Sequence, residues 1–469
     1  MQNSQLIFIL QTFSKKELRE LKKWLDSPAH NQREDVTQLF DYLTTSARLE
    51  QEKHLKKEKI FSKLFPKTPF DDARLRQTMH FLLRAVEEFL IWQALQEDTV
   101  RAQIVLASEY RKRRLVKPFQ KTVRQIADTQ EQFPYRNEQY LRNEYLLQQE
   151  KYLFQDVREK TREMNLQEVS DALDLTYLAD KLRQSCLMLA HQAVYKVGYN
   201  MGLLNEVLAH IETKNLTHLP GIAIYYYSYK MLSERDNPAY FEELKKQIQQ
   251  FSHLFPHAEI RTIYLAAINY CVGRLNAGQE AYIREAFDLY HLGFEQGILI
   301  ENNKISTATF HNAAAIGLKL KEYQWVDTFI HKHRDYIEAD QRESFFLFNL
   351  AKLRYEQRDY DSAMRLLAQT DFDNLLVHLN AKTMLFKMYY ELDEVDALES
   401  LLESLRTYIS RKEVIGYHRA NYQNIIRYTK KLVRINPYNK VQKEKLREEI
   451  VQANPLTERD WLLKQLDAI

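Results

Sequence analysis

The chain has 469 residues, 45% hydrophobic and 28% charged, which is long enough for two or three compact domains or one continuous repeat array and excludes a disordered polymer. Only 9 Gly and 10 Pro punctuate it, with no Gly before Gly198 and no Pro between Pro256 and Pro437, which excludes a sheet-rich fold and points to long helices on short connections. The net charge of +3 is unevenly spread: residues 1–130 hold 24 Lys/Arg against 17 Asp/Glu, residues 131–410 hold 30 against 40, and residues 411–447 hold 11 Lys/Arg with at most three acidic side chains.

Taken in order, the LIFIL run at residues 6–10 is too short for the apolar region of a leader and has no basic residue before it. Ser14 and Glu17 have capping-box spacing and open a helix carrying Leu18, Leu21, Trp24 and Leu25 inward, stopped at Pro28. Helices follow near Asp35 to Ser46 and Lys56 to Phe65. Asp71 or Asp72 then caps a longer one with Leu75, Met79, Leu82, Val86 and Phe89 on its buried side. Residues 99–220 spell four or five more helices, with breaks at Pro118, Pro134 and near Met164-Asn165. Hairpins follow over 221–256, with a turn at Arg235 to Pro238, and over 260–294, with a turn at Asn276 to Gly278. One further helix over Tyr417 to Leu432 is broken by Pro437, and a last one is expected to be capped by Thr457. The expected organisation is a helical N-terminal domain over 1–97, degenerate repeats over 98–220, regular repeats over 221–410 and closing helices over 411–469.

The regular repeats are clearest over 310–405. NLAKLRYEQRDYDSAMRLLAQ, from Asn349, has a copy 37 residues upstream, where Asn312, Ala314, Tyr323 and Ile330 match Asn349, Ala351, Tyr360 and Leu367. A third copy, 34 residues downstream, sets Asp393, Ala397 and Leu401 against Asp359, Ala363 and Leu367. Such periods indicate stacked helical hairpins. The segment resembles tetratricopeptide repeats: a small residue in the first helix (Ala351), an aromatic at the turn (Tyr360), then small and large apolar residues in the second helix (Ala363, Leu367). It departs from that pattern at Val326, Leu385 and Glu394, and the closing proline is absent. The resemblance implies an all-α, right-handed solenoid of hairpins behind a small helical N-terminal domain. It also implies a first-helix face that binds a protein or peptide partner through Asn312, Asn349, Lys352, Tyr355, Lys382 and Tyr389. The clamp that some members use for a terminal carboxylate is not reproduced, since Ala315 and Phe386 stand where it needs Asn. FSKKELRELKKWLDSP and IFSKLFPKTPFDDARLRQ resemble the start of a group of bacterial helical proteins without an assigned activity.

No glycine-rich phosphate loop exists, so no nucleotide or other cofactor is expected. His253 and His257 have helical ligand spacing but Pro256 lies between them. His331 and His333 point apart on a helix, so no metal is expected either. Cys186 and Cys271 sit in apolar helical patterns and read as buried free thiols of a reducing compartment. No run approaches the ~18 apolar residues of a membrane span, and a cytoplasmic protein without catalysis is expected. The resulting expectation is a protein-interaction scaffold. The alternative is a transcriptional regulator whose N-terminal helix-turn-helix-like unit binds DNA through the basic row Arg76, His80 and Arg84, with Arg111, Arg113 and Arg114 on phosphates, while the repeats sense a partner.

Overall fold

The computed structural model describes residues 1–156, 164–369, 374–411 and 416–469, apart from the side chains of 46, 47, 50, 156, 194 and 416–418. The expected break near Met164-Asn165 falls partly outside them. The described residues are 79% helical and contain no strand. They divide into two compact units, Met1–Lys181 and Leu182–Ile469, with the division inside one long helix.

The first unit begins with α1 (Gln5–Thr12), α2 (Lys15–Asp26), α3 (Glu34–Thr44), α4 (Lys57–Leu64) and α5 (Asp72–Glu97). The LIFIL run is α1 itself: Leu6, Ile7 and Leu10 are buried among Leu21, Leu25, Phe40, Phe61, Val86 and Phe89. The capping box of α2 is formed. Ser14 Oγ accepts from the Glu17 N–H at 3.2 Å, and Glu17 Oε2 accepts from the Ser14 N–H at 2.7 Å. Asp71 caps α5 by accepting the Ala73 and Arg74 N–H groups at 2.9 and 3.0 Å. A second, smaller core lies between α6 (Thr99–Lys112), α7 (Val116–Gln132) and α8 (Glu138–Asp156), built from Val100, Ile104, Phe119, Ile126 and Leu147.

After α9 (Leu166–Tyr195) and α10 (Leu204–Thr213), the second unit is a succession of antiparallel pairs. These are α11 (Pro220–Ser233) with α12 (Pro238–Phe251), α13 (His257–Asn276) with α14 (Tyr282–Glu295), α15 (Thr307–Lys319) with α16 (Tyr323–His333), α17 (Arg342–Glu356) with α18 (Tyr360–Ala368), and α19 (Leu375–Glu391) with α20 (Val395–Arg411). First helices also meet across pairs, α15 on α17 and α17 on α19. Four of the turns share one backbone solution. Gly278, Lys321, Arg358 and Asp393 adopt φ of 86°, 62°, 65° and 58°. The next N–H in each reaches back five residues, from Gln279 to Arg274 O, Glu322 to Gly317 O, Asp359 to Arg354 O and Glu394 to Tyr389 O. This is the Schellman closure, which satisfies carbonyls left over at a helix end.

These turns correct the register of the third copy. Asp393 is equivalent to Arg358, 35 residues earlier, and not to Asp359 as the sequence match suggests. Phe386, Leu398 and Leu402 therefore take the places of Ala351, Ala363 and Leu367. All three are buried, whereas Leu385, Ala397 and Leu401 are not fully so. Packing, which the sequence match does not weigh, decides the register.

Val326, the bulky departure of the first copy, is accommodated across the hairpin by Gly317, which aligns with Arg354 of the second copy. A Cβ at Gly317 would stand 2.6 Å from Val326 Cγ2 and 3.2 Å from the Trp325 ring. Gly317→Ala is therefore expected to destabilise the chain by about 1–2 kcal/mol despite alanine's helix propensity. Adding Val326→Ala should leave the double variant about 1 kcal/mol more stable than the two single effects combined. Urea denaturation of the four proteins checks this, and simple additivity would show that the close approach costs nothing.

The chain closes with α21 (Gly416–Arg434), α22 (Lys440–Gln452) and α23 (Arg459–Ala468), which share one core with the last hairpin through Phe386, Leu402, Ile425, Leu446, Trp461 and Leu462. Thr457 is not the cap of α23. Glu458 occupies that position with φ 55° and no side-chain cap bond, and its carboxylate is used elsewhere.

Candidate functional site

The polar side chains of the first helices converge where α15, α17 and α19 run side by side. Asn349 on α17 is fully buried. Its Nδ2 donates to Phe345 O at 2.7 Å and its Oδ1 pairs with His311 Nδ1 of α15 at 2.9 Å. Burial, with the Lys352 charge adding to it, pushes the His311 imidazole down to about 4 against the opposing Asn349 bond, so it stands neutral at pH 7. One turn along α17, Lys352 has no carboxylate at ion-pair distance among the described residues. Burial lowers its ammonium pKa, and the more distant Glu458 and Glu356 offset this only in part.

The neighbouring first helix, α19, presents Lys387 and Glu391 one turn apart, and both are drawn inward by the C-terminal segment. Lys387 Nζ pairs with Glu458 Oε2 at 2.7 Å and lies 5.0 and 5.7 Å from the centres of the Tyr355 and Trp461 rings. Glu391 collects five donors. Its Oε1 accepts from Trp461 Nε1 at 2.7 Å, the Tyr355 hydroxyl at 3.0 Å and Gln465 Nε2 at 3.3 Å, and its Oε2 accepts from the Tyr360 hydroxyl and Arg358. Burial alone would raise this carboxyl. The donors overcome it, Tyr360 and Trp461 foremost, and hold the group below its usual range. The Trp461 ring also meets Phe386 and Tyr390 edge-on.

α23 thus lies on the first-helix face of the last hairpins. Of the six residues expected to meet a partner there, Asn349 and Tyr355 are buried and engaged internally, and Lys352 lies beside them. Tyr389 packs against the C-terminal core. Lys382 is half-exposed and Asn312 is exposed on α15. Nothing in the local sequence pattern marks His311, Lys387, Glu391 or Glu458 as members of this cluster. Charged residues at helical spacing read as solvated surface, and the partner that buries Glu391 stands 70 residues away.

The basic residues of the first unit fall into two groups. Arg76, His80 and Arg84 are exposed along one face of α5, with Arg76 paired to Asp72 at 3.0 Å. Arg111 is held by Glu150 at 2.7 Å, and Arg113 shares Glu109 with Lys112. Arg114 is exposed just beyond α6 with φ 57°. Both cysteines are free thiols, each pushed up to about 12 by burial. Among the described residues no group of His, Cys, Asp or Glu is arranged to hold a metal, and no helix is long and apolar enough to cross a membrane.

No protein-family model, no curated protein and no solved structure matches this chain.

Proposed function

We propose that the chain is a non-catalytic, cytoplasmic interaction scaffold, a right-handed solenoid of tetratricopeptide-like hairpins whose first helices take a helical segment of a partner protein. The observation that carries this reading is the seating of α23. A short amphipathic helix docks on α19 with an indole anchored to Glu391 and a carboxylate on Lys387. The chain's own terminus supplies an example of the ligand chemistry that such a face accepts: an apolar ridge flanked by one acidic group. Upstream of α23 the same face continues through Asn312 and Lys382, which remain accessible.

The alternative, DNA binding by the first unit, rests on the exposed row Arg76, His80 and Arg84. The scaffold is preferred because Arg111 and Arg113, expected on phosphates, are already matched by Glu150 and Glu109. The test is capture of the tagged protein from its native lysate, with and without nuclease, for wild type and for Asn312→Arg combined with Lys382→Glu. The scaffold predicts defined protein partners that survive nuclease and fall at least fivefold in the variant. Partners that ignore the substitutions would overturn the proposed face, and partners lost only with nuclease would favour the alternative.

A further inference from the structure

The second unit carries a basic groove that the scaffold reading does not use. Residues 411–447 contain 11 Lys/Arg and 2 Asp/Glu. Arg427, Lys430, Lys431 and Arg434 recur at helical spacing on one side of α21 and, with Lys445 of α22, line an open groove of about 500 Å³ whose one lining carboxylate is Glu449. The acidic groups nearby answer only part of this charge. Glu403 pairs with Lys430 at 2.8 Å, Glu449 pairs with Lys431, and Glu399 makes a long ion pair with Arg434 at 3.6 Å. Arg427 bonds only the Tyr428 hydroxyl, at 2.6 Å, and Lys445 has no carboxylate at ion-pair distance among the described residues.

At the end of this groove the α21–α22 turn holds an aromatic ring out in water. Tyr438 is 93% exposed and Val441, the second residue of α22, is 80% exposed. The turn itself is tied down: Asn439 N–H donates to Asn436 O at 3.0 Å, Tyr438 N–H donates to Asn436 Oδ1 at 3.0 Å, and Pro437 fixes the backbone between them. A ring held this way gains no burial within the chain, and its flat face is available to another flat group.

We propose that this groove binds single-stranded nucleic acid, with phosphates on Arg427, Arg434 and Lys445 and a base stacked on Tyr438. Exposed cations along α21 and α22 match a flexible polyanion laid in the open groove. The exposed Tyr438 ring suits a strand whose bases are unpaired and free to stack, which a duplex and a bilayer surface do not offer. The combination of a cationic track with one solvent-facing aromatic is the chemistry that holds single strands without reading their sequence. The four cations of α21 span about 10 Å along the helix axis, so the track accommodates a few nucleotides, and affinity must depend steeply on salt.

The test uses the purified full-length protein and fluorescein-labelled oligouridine and oligothymidine of about a dozen nucleotides, with anisotropy read between roughly 50 and 200 mM salt. Wild type is expected to bind. Arg434→Glu with Lys445→Glu should weaken binding at least tenfold and reduce the slope of log affinity against log salt by about 1.4, the value for two lost single-strand phosphate contacts. Tyr438→Ala should weaken binding about tenfold and leave that slope unchanged. Arg76→Glu with Arg84→Glu should bind as wild type, and circular dichroism melts confirm that the surface variants fold. The proposal is overturned if wild type does not bind the oligonucleotides, or if the groove and Tyr438 variants bind them unchanged. Wild type that ignores oligonucleotides but sediments with phosphatidylserine-containing vesicles would overturn it in favour of a lipid surface.

Discussion

Replacing Glu391 by alanine is expected to cost the second unit about 3–5 kcal/mol, a large share of the stability of an ordinary domain. The carboxylate is the common acceptor for Tyr355, Tyr360, Trp461, Gln465 and Arg358, so its removal leaves several buried donors unpaired at once. Glu391→Gln keeps the shape and one acceptor oxygen but sets an NH₂ against other donors, and should cost about 1–3 kcal/mol. Urea denaturation of the full chain gives both numbers. The acid limb supplies a second check. Because the folded pKa lies below the ordinary 4.5, the unfolded chain takes the proton first. The stabilisation is complete above that value and is lost as pH falls through the folded one. The difference between wild type and Glu391→Gln should therefore shrink below about pH 4. A difference independent of pH would mean that the carboxylate does not stabilise by its charge.

Trp461→Ala should have a comparable effect, about 3–5 kcal/mol, because it removes a large buried ring and an indole donor together. Its consequence is local. α23 keeps Leu462 and Leu466 in the shared core, with Leu463 packed at its edge, while the hairpins from α11 to α16 lie outside that core. Hydrogen exchange should therefore quicken over residues 440–468 and along α19, with α11 to α16 protected as before. Unchanged exchange over 440–468 would show that α23 is held by something other than its tryptophan.

Helical pairing was readable because scarce Gly and Pro leave few places for a chain to turn, and capping residues such as Ser14 and Asp71 mark starts by chemistry that acts within a few residues. Turn closure was less readable. Only one of the four Schellman positions is glycine. At the others Lys321, Arg358 and Asp393 accept a left-handed conformation that their types do not advertise. The third copy was therefore set one residue off, with Asp393 aligned to the capping Asp359 because both are aspartates. The misassignment of Thr457 has the same origin: a good local cap was outweighed by the distant attraction between Glu458 and Lys387. The polar cluster itself was illegible. A buried carboxylate and a solvated one are the same letter until the helix that covers it is placed, and no local pattern links positions 391 and 461.

That separation along the chain also has a meaning in time. Translation delivers Glu391 70 residues before Trp461, an interval of about 4–14 s at 5–20 residues per second. In the later part of it, α19 has left the ribosome while the helix that covers it has not been completed. Glu391 can already take Arg358, Tyr355 and Tyr360 as partners, but Lys387 waits in water for Glu458, and that charge keeps the nascent hairpin soluble at the surface that will later be sealed.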